Sequence, residues 1–249
     1  MSKVVAIVQS NYIPWKGYFD MVNLVDEFVL YDDVQYTRRD WRNRNKIKTA
    51  HGTLWLTLPV DTKGKYLQAV KDTVITDDAW RTQHWKSIVH SYARARGFRV
   101  YAERLEALYQ SSQERSLSLV NHRFLVDICG WLGIETPVTW SSQYRLEDDR
   151  TGRLVGICRQ AGATVYLSGP AARAYMDESQ FAAAGIEVRY MNYDGYLEYP
   201  QLYPPFQHDV SIVDLLMNTG EDAPGFLKSF GRNGGIRAGA ATAAVGLGE

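Results

Sequence analysis

Cysteine is scarce in this chain, with Cys129 and Cys158 the only two in 249 residues. Both fall inside apolar helical patterns and read as small buried hydrophobes, so neither a disulfide framework nor a thiolate metal site follows from them. Cys158 has no activating neighbour in the sequence, which sets a covalent thiol mechanism aside. An excess of one charge is also missing: Lys and Arg number 28, Asp and Glu 28, for a formal net charge of zero. A chain that works on nucleic acid usually carries a basic excess, so that partner is disfavoured. No apolar run reaches the length of a membrane span. Val4–Val8 is short and precedes no small-residue cleavage site, so it reads as a buried first strand and the protein as cytoplasmic, without membrane insertion. There is no G-x-S-x-G, no G-x-G-x-x-G and no phosphate loop. His84 and His90 stand six positions apart on different helix faces, and no histidine spacing fits a metal site.

What the chain has in quantity is aromatic: seven Trp and 16 Tyr, which fit either an aromatic-rich core or a pocket lined by amphipathic rings. The stretch from Ile7 to Lys48 concentrates the chemistry. Val4–Val8 stops at Gln9-Ser10-Asn11-Tyr12, and a Pro-Trp-x-Gly turn leads into a short amphipathic helix, Tyr18 to Val25. A second apolar run, Phe28–Tyr31, ends on Asp32-Asp33, and a basic loop dense in Arg and Asn follows. Strand, polar loop, helix, strand and acidic end describe an α/β unit, whose ligands bind outside the carboxyl ends of the strands.

Further along, Thr53–Val60 alternates as a strand, and Leu67–Val74 reads as another short one. Helical patterns cover Ala79–Ala95, Val100–Tyr109 and Leu117–Leu132, the last capped by Gly133. Alternation then returns with strands at Val138–Trp140, Thr164–Leu167 and Ile186–Met191. Helices are expected over 148–161, 171–175, 178–184 and 211–218. The fold class this implies is α/β, a mostly parallel sheet of βαβ-type units with a helical middle segment at about 78–133. Residues 1–233 read as one domain and the small-residue-rich 234–249 as a flexible tail.

The motifs Gln9–Trp15, Gly17–Asp20, Asp32–Tyr36 and Arg42–Lys48 resemble those of the WbqC-like family of bacterial surface-polysaccharide biosynthesis proteins. The likeness continues through His84-Trp85, Tyr166–Gly169, Tyr199–Gln201 and Ser211–Leu216, over about residues 3 to 220. Many family members place a His before the Gln of the first motif; this chain has Val8, so no role for that imidazole carries over. The resemblance implies surface-glycan (O-antigen, lipopolysaccharide) biosynthesis and transfer of an acyl or aminoacyl group to an amino sugar.

From the residues themselves, Asp32 and Asp33 point to opposite faces of a strand end, so one can face the crevice as a base or ammonium anchor while the other caps a loop or pairs with an Arg. Arg42, Asn43, Arg44 and Lys46 read either as a phosphate-binding loop or as a solvated edge strand. Trp15, Trp41 or Tyr36 would stack a base or sugar. His84 shares a helix face with Trp80, Ile88 and Tyr92; it is either a satisfied core histidine or the group that takes a proton near neutral pH. Gln9, Asn11 and Tyr12 would orient the reacting group. Ser168-Gly169 opens a helix and would offer amides to an anion, and Tyr199 and Gln201 would wall a sugar. The expected activity is an N-acyl or aminoacyltransferase acting on a nucleotide sugar, with His84 or Asp33 as base and no tightly bound cofactor. The donor would be a carrier-protein thioester, an acyl-CoA or an activated amino acid, and the partners an acyl or aminoacyl carrier protein and, as a homodimer, a second copy of the chain. A nucleotidyl-transfer enzyme and a non-catalytic sugar-nucleotide-binding protein remain alternatives.

Overall fold

The computed structural model describes residues 2–147 and 149–231, so the tail expected at 234–249 lies outside them. The element order opens with β1 (Val4–Val8), α1 (Lys16–Asn23), β2 (Glu27–Leu30), β3 (Arg44–Thr49) and β4 (Gly52–Thr57). Three helices follow: α2 (Ala79–Tyr92), α3 (Phe98–Ser111) and α4 (Leu117–Leu132). The chain then runs through β5 (Val138–Trp140), α5 (Arg150–Gln160), β6 (Val165–Ser168), α6 (Glu178–Ala183), β7 (Glu187–Tyr190) and α7 (Ile212–Thr219). The main sheet has the order β5-β2-β1-β6-β7 with every pairing parallel, as the alternation of strands and helices predicts. β1 lies at its centre, which is why its five residues are all apolar: both faces are covered.

Period-2 alternation divides the core. Val4, Ala6, Phe28 and Leu30 face the larger cluster, shared with α1, α2, α3, α4 and α7. Val5, Ile7, Val29 and Tyr166 face the smaller one, formed with Ile157, Cys158 and Phe181 of α5 and α6. Both cysteines are buried and free, Cys129 on the first side and Cys158 on the second. Gly133 closes α4 in the left-handed conformation, at φ 75°.

Local expectations are settled or corrected. Of the two readings of the basic segment, loop or edge strand, the strand holds: it is β3, paired antiparallel with β4 in a two-stranded hairpin separate from the main sheet. The strand expected at Leu67–Val74 is a single 3-10 turn, Val70–Asp72, flanked by isolated bridges Gln35↔Ala69 and Val74↔Ser116. A run of apolar residues without a continuous partner does not make a strand. The helix expected at 171–175 is a 3-10 turn, Pro170–Ala174. No helix among the described residues is long and apolar enough to cross a membrane.

Candidate functional site

The loop Gln9–Trp15 joins β1 to α1, and its shape is enforced from three directions. Tyr12 N–H donates to the Trp41 carbonyl at 3.0 Å, and Ile212 N–H to the Pro14 carbonyl at 2.8 Å. The Asn45 amide donates to the carbonyls of Tyr12 and Ile13 at 3.1 and 3.0 Å, and the Ser211 hydroxyl to that of Ile13 at 2.8 Å. Between these ties Ile13 has φ +37°, a conformation a β-branched residue adopts at a cost of order 1–3 kcal/mol. The Trp-x-Gly of the motif has an equally local cause. A Cβ on Gly17 would lie 2.3 Å from the Trp15 indole, so only glycine leaves room for that ring.

Beside this loop runs the hairpin. Strand alternation sends Asn43 and Asn45 inward, both buried, and leaves Arg44 and Lys46 on the outer face with Trp55. Trp41 and Trp55 stand 5.4 Å apart, the Arg44 guanidinium lies 4.2 Å over Trp55, and the Lys46 ammonium is 5.7 and 5.6 Å from the two rings. Lys46 also pairs with Asp209. Between loop, hairpin and the 206–210 segment lies a cavity of about 240 Å³ lined by Asn11, Pro14, Trp15, Trp41, Asn45, His208 and Asp209. A wider depression of about 600 Å³ borders Arg145, Glu147 and Arg159 on the outside of α5, but it gathers none of the loop's polar groups. The smaller cavity is therefore the candidate site.

The residues expected to form one centre divide into three groups. The first gathers around this cavity: Asn11, Trp15 and Trp41 line it, Arg42 and Lys46 contact its lining through Asn11, Asp209 and Trp41, and Arg44 lies farther out over Trp55. Arg42 donates to the Asn11 side-chain oxygen and, at 3.5 Å, to the Gln9 carbonyl, so it sets the loop more than it faces solvent. A second group lies at the ends of β2 and β5. Buried Asp32 accepts from Ser10 N–H at 2.8 Å and from the Ser118 hydroxyl; burial pushes its carboxyl up and these bonds oppose that. Asp33 accepts from the Ser141 hydroxyl at 2.5 Å and from Lys71. The two carboxylates thus have separate partners, as their opposite directions predict.

The third group is interior. His84 is 6% exposed, and its Nδ1 shares a hydrogen bond with the Tyr12 hydroxyl at 2.9 Å. That hydroxyl also meets Tyr109 at 2.9 Å, and Trp80 and Phe124 close the surroundings. Burial holds the imidazole down to about 4, so it stays neutral with its Nδ1 engaged and its ring away from the cavity. Of the two expectations for His84, the geometry matches the satisfied core histidine. Tyr12 and Tyr36 are likewise buried. The Tyr199 hydroxyl and the Gln201 amide both donate to buried Asp214, at 2.7 and 2.9 Å, alongside Tyr92 at 2.7 Å; they organise the core behind the site. Asn43 donates to the Leu58 carbonyl at 2.8 Å. Ser168 and Gly169 end β6 on the other side of β1.

One pH effect follows from His84. The unfolded imidazole takes up a proton below about 6.5 while the folded one resists until about 4, so stability falls as pH drops through that window. The full loss is on the order of 3 kcal/mol. H84Q keeps a partner for the Tyr12 hydroxyl and is expected to flatten this slope in urea midpoints taken between pH 4 and 7. An unchanged slope would assign the acid sensitivity to other groups.

Sequence reading missed His208, Asp209 and Trp55, and took in Asn45 only as one of the interleaved Asn residues of the basic run. His208 lines the cavity, and burial together with the charge of Lys16 lowers its pKa below the usual imidazole value. No local pattern marks it; its segment reaches the hairpin through long-range contacts, Ser211 N–H to the Lys46 carbonyl at 2.8 Å and the Lys46–Asp209 pair among them. Asn45 and Trp55 would have been legible had β3 and β4 been paired.

Comparison with known proteins places these residues in a wider set. The model of the WbqC-like protein family matches residues 9–225, which takes in the loop, the hairpin and His208. An uncharacterized protein of Mycobacterium tuberculosis, Rv1507c, is 49% identical over 226 residues, covering 91% of this chain and 98% of its own length. No solved structure matches the chain.

Proposed function

The chain belongs to the WbqC-like protein family, and on that premise we propose that its loop–hairpin cavity binds a nucleotide-linked amino sugar and promotes acyl or aminoacyl transfer to the sugar's amine, in the cytoplasm, for a bacterial surface glycan. The observation that carries this reading is the pairing of unlike surfaces at one small cavity. Trp41 lines the cavity and Trp55 continues its stacking surface onto the outer face of the hairpin, Arg44 stands over Trp55 and Lys46 near both indoles, and Asn11, oriented by Arg42, offers a fixed polar group in the cavity. Asp209 is 66% exposed at its side chain and is free to swing from Lys46 when a phosphate takes its place.

In the proposed step the sugar amine attacks the carbonyl carbon of a thioester donor. The C–N bond forms, the C–S bond breaks, the sulfur leaves as thiolate, and the amine proton passes to the ring of His208, which its lowered pKa keeps neutral. This assigns to His208 the part first expected of His84 or Asp33. An acyl-CoA and a carrier-protein thioester supply the same chemistry.

Calorimetric titration with nucleotide-linked amino sugars, followed by mass analysis with candidate donors, tests the reading. Transfer adds the acyl mass to the sugar; binding without product from any donor favours a non-catalytic sugar-nucleotide protein, and pyrophosphate release from a triphosphate favours nucleotidyl transfer. Arg44→Ala is expected to weaken nucleotide-sugar binding by about 1–3 kcal/mol, the range for a charge-assisted contact. An unchanged dissociation constant removes Arg44 from the site.

A further inference from the structure

The carboxyl edge of the sheet has a second flank that the cavity does not use. The chain builds outward from β1 to β2 and β5, then returns to place β6 and β7 on the other side of β1. The order therefore reverses between β1 and β6, and the crevice outside such a reversal is where open α/β sheets take ligands. On the face covered by α5 and α6, alternation brings Tyr31 at the end of β2 and Tyr190 at the end of β7 to this edge, with Gln9 and Ser168 continuing the same series between them.

Three arginines meet these residues. Arg150 and Arg153 are one turn apart on α5 and so share a face. Burial raises the Tyr31 phenol, and the nearby guanidiniums of Arg153 and Arg150 oppose that rise. Arg150 also lies 4.5 Å over the ring of Tyr175, which is 57% exposed. Arg173, from the turn after β6, lies 4.4 Å over Tyr190. None of the three is ion-paired with a carboxylate among the described residues, whereas Arg42, Arg81, Arg96, Arg123 and Arg189 are. Among the described residues, acids near these arginines are already engaged: Asp33 by Lys71 and Ser141, Asp149 by Gly152 N–H at 2.6 Å, and Glu178 by the Tyr190 hydroxyl at 2.6 Å.

We propose that this crevice is a second ligand site, in which Arg150, Arg153 and Arg173 hold the pyrophosphate group of a small molecule at the β1/β6 reversal. Guanidinium forks match phosphate oxygens bidentately; stacking on tyrosine holds those of Arg150 and Arg173 in a fixed plane, and Arg153 is held by its Nε, which donates to the Glu147 carbonyl at 2.6 Å. Two anchor points, the Arg150–Arg153 pair and Arg173 on the other lip, suit two linked phosphates better than one. Tyr175 gives an exposed ring against which an attached base can lie.

The site lies on the opposite face of the sheet from the loop–hairpin cavity, so its test is independent of the function proposed for that cavity. Inorganic pyrophosphate, ADP and coenzyme A are each titrated by calorimetry into the full chain, into R150Q/R153Q, into R173Q and into R44A. All these arginines are at least partly exposed, and thermal melts confirm that the variants fold. The expected result is that at least one probe binds and that R150Q/R153Q and R173Q each weaken it by about tenfold or more, a loss that persists when the same substitutions are made in the R44A chain. Binding of none of the three probes, or binding equal in R150Q/R153Q and the parent chain, overturns the proposal. Binding lost only in R44A assigns the phosphate to the hairpin and overturns it as well.

Discussion

His208→Ala is expected to slow acyl or aminoacyl transfer about 100-fold or more while leaving the nucleotide sugar bound, because a positioned general base is worth roughly that much. The variant isolates proton transfer from binding, since the phosphate contacts belong to Arg44 and Lys46. His208 lies at the surface, with its ring edge against Phe206 at 4.7 Å, so its loss removes little packing. The accompanying pH profile is distinctive. A base works in its neutral form, so the parent rate should climb with pH through a value below the usual imidazole range, where burial and Lys16 hold this group. That acid limb should vanish in the variant. A rate within a few-fold of the parent, or an unchanged limb, would show that the amine loses its proton elsewhere. His84→Gln serves as the contrast: it alters acid stability and, having no access to the cavity, is expected to leave turnover near the parent value.

Gly97→Ala should destabilise the fold by about 3 kcal/mol or more, at the upper end for forcing atoms into a packed site. Gly97 lies where α2 passes into α3 and meets the end of α7, its N–H donating to the Met217 carbonyl at 2.7 Å. An added Cβ would stand 2.2 Å from the Leu216 carbonyl oxygen and 2.5 Å from the Gly220 nitrogen. Both are backbone atoms, so no side chain can swing away; α7 itself must move. Because α7 carries Asp214 and follows directly on Ser211, which ties the Ile13 carbonyl, the shift should reach the loop at the cavity. Urea unfolding would show a lower midpoint with an unchanged slope. A midpoint equal to that of the parent chain would mean that the two segments are less tightly opposed than they stand here.

The parallel sheet was legible because its signals are local. Val4–Val8 and Phe28–Leu30 are apolar runs bounded by polar residues, and the later strands alternate with helices that carry their own stops, Gly133 among them. The family motifs were legible as well, and they coincide with the loop and the hairpin. The hairpin's pairing was not. Arg42–Lys48 is rich in charge and Asn, which gives no apolar alternation, and its period-2 logic emerges only when Asn45 is seen to reach the Tyr12 and Ile13 carbonyls. His84 shows the converse: its inward face was correctly read from Trp80, Ile88 and Tyr92, yet that inwardness could not say whether it opened on a cavity or on Tyr12, Tyr109 and Phe124.

By itself, then, the amino-acid order determined the α/β class, the carboxyl-end position of the polar motifs and the exclusion of a disulfide framework, because periodicity, caps and composition act over a few neighbouring residues. Only the tertiary structure decided which polar groups share a space. It withdrew His84, Tyr199 and Gln201 into the core, brought His208 to the hairpin, and set Arg150, Arg153 and Arg173 around the β1/β6 reversal. These choices are made by contacts between segments far apart in the chain, such as Ser211 with Lys46 and Gly97 with α7, and no local pattern encodes a contact whose two halves are separated by a hundred residues or more.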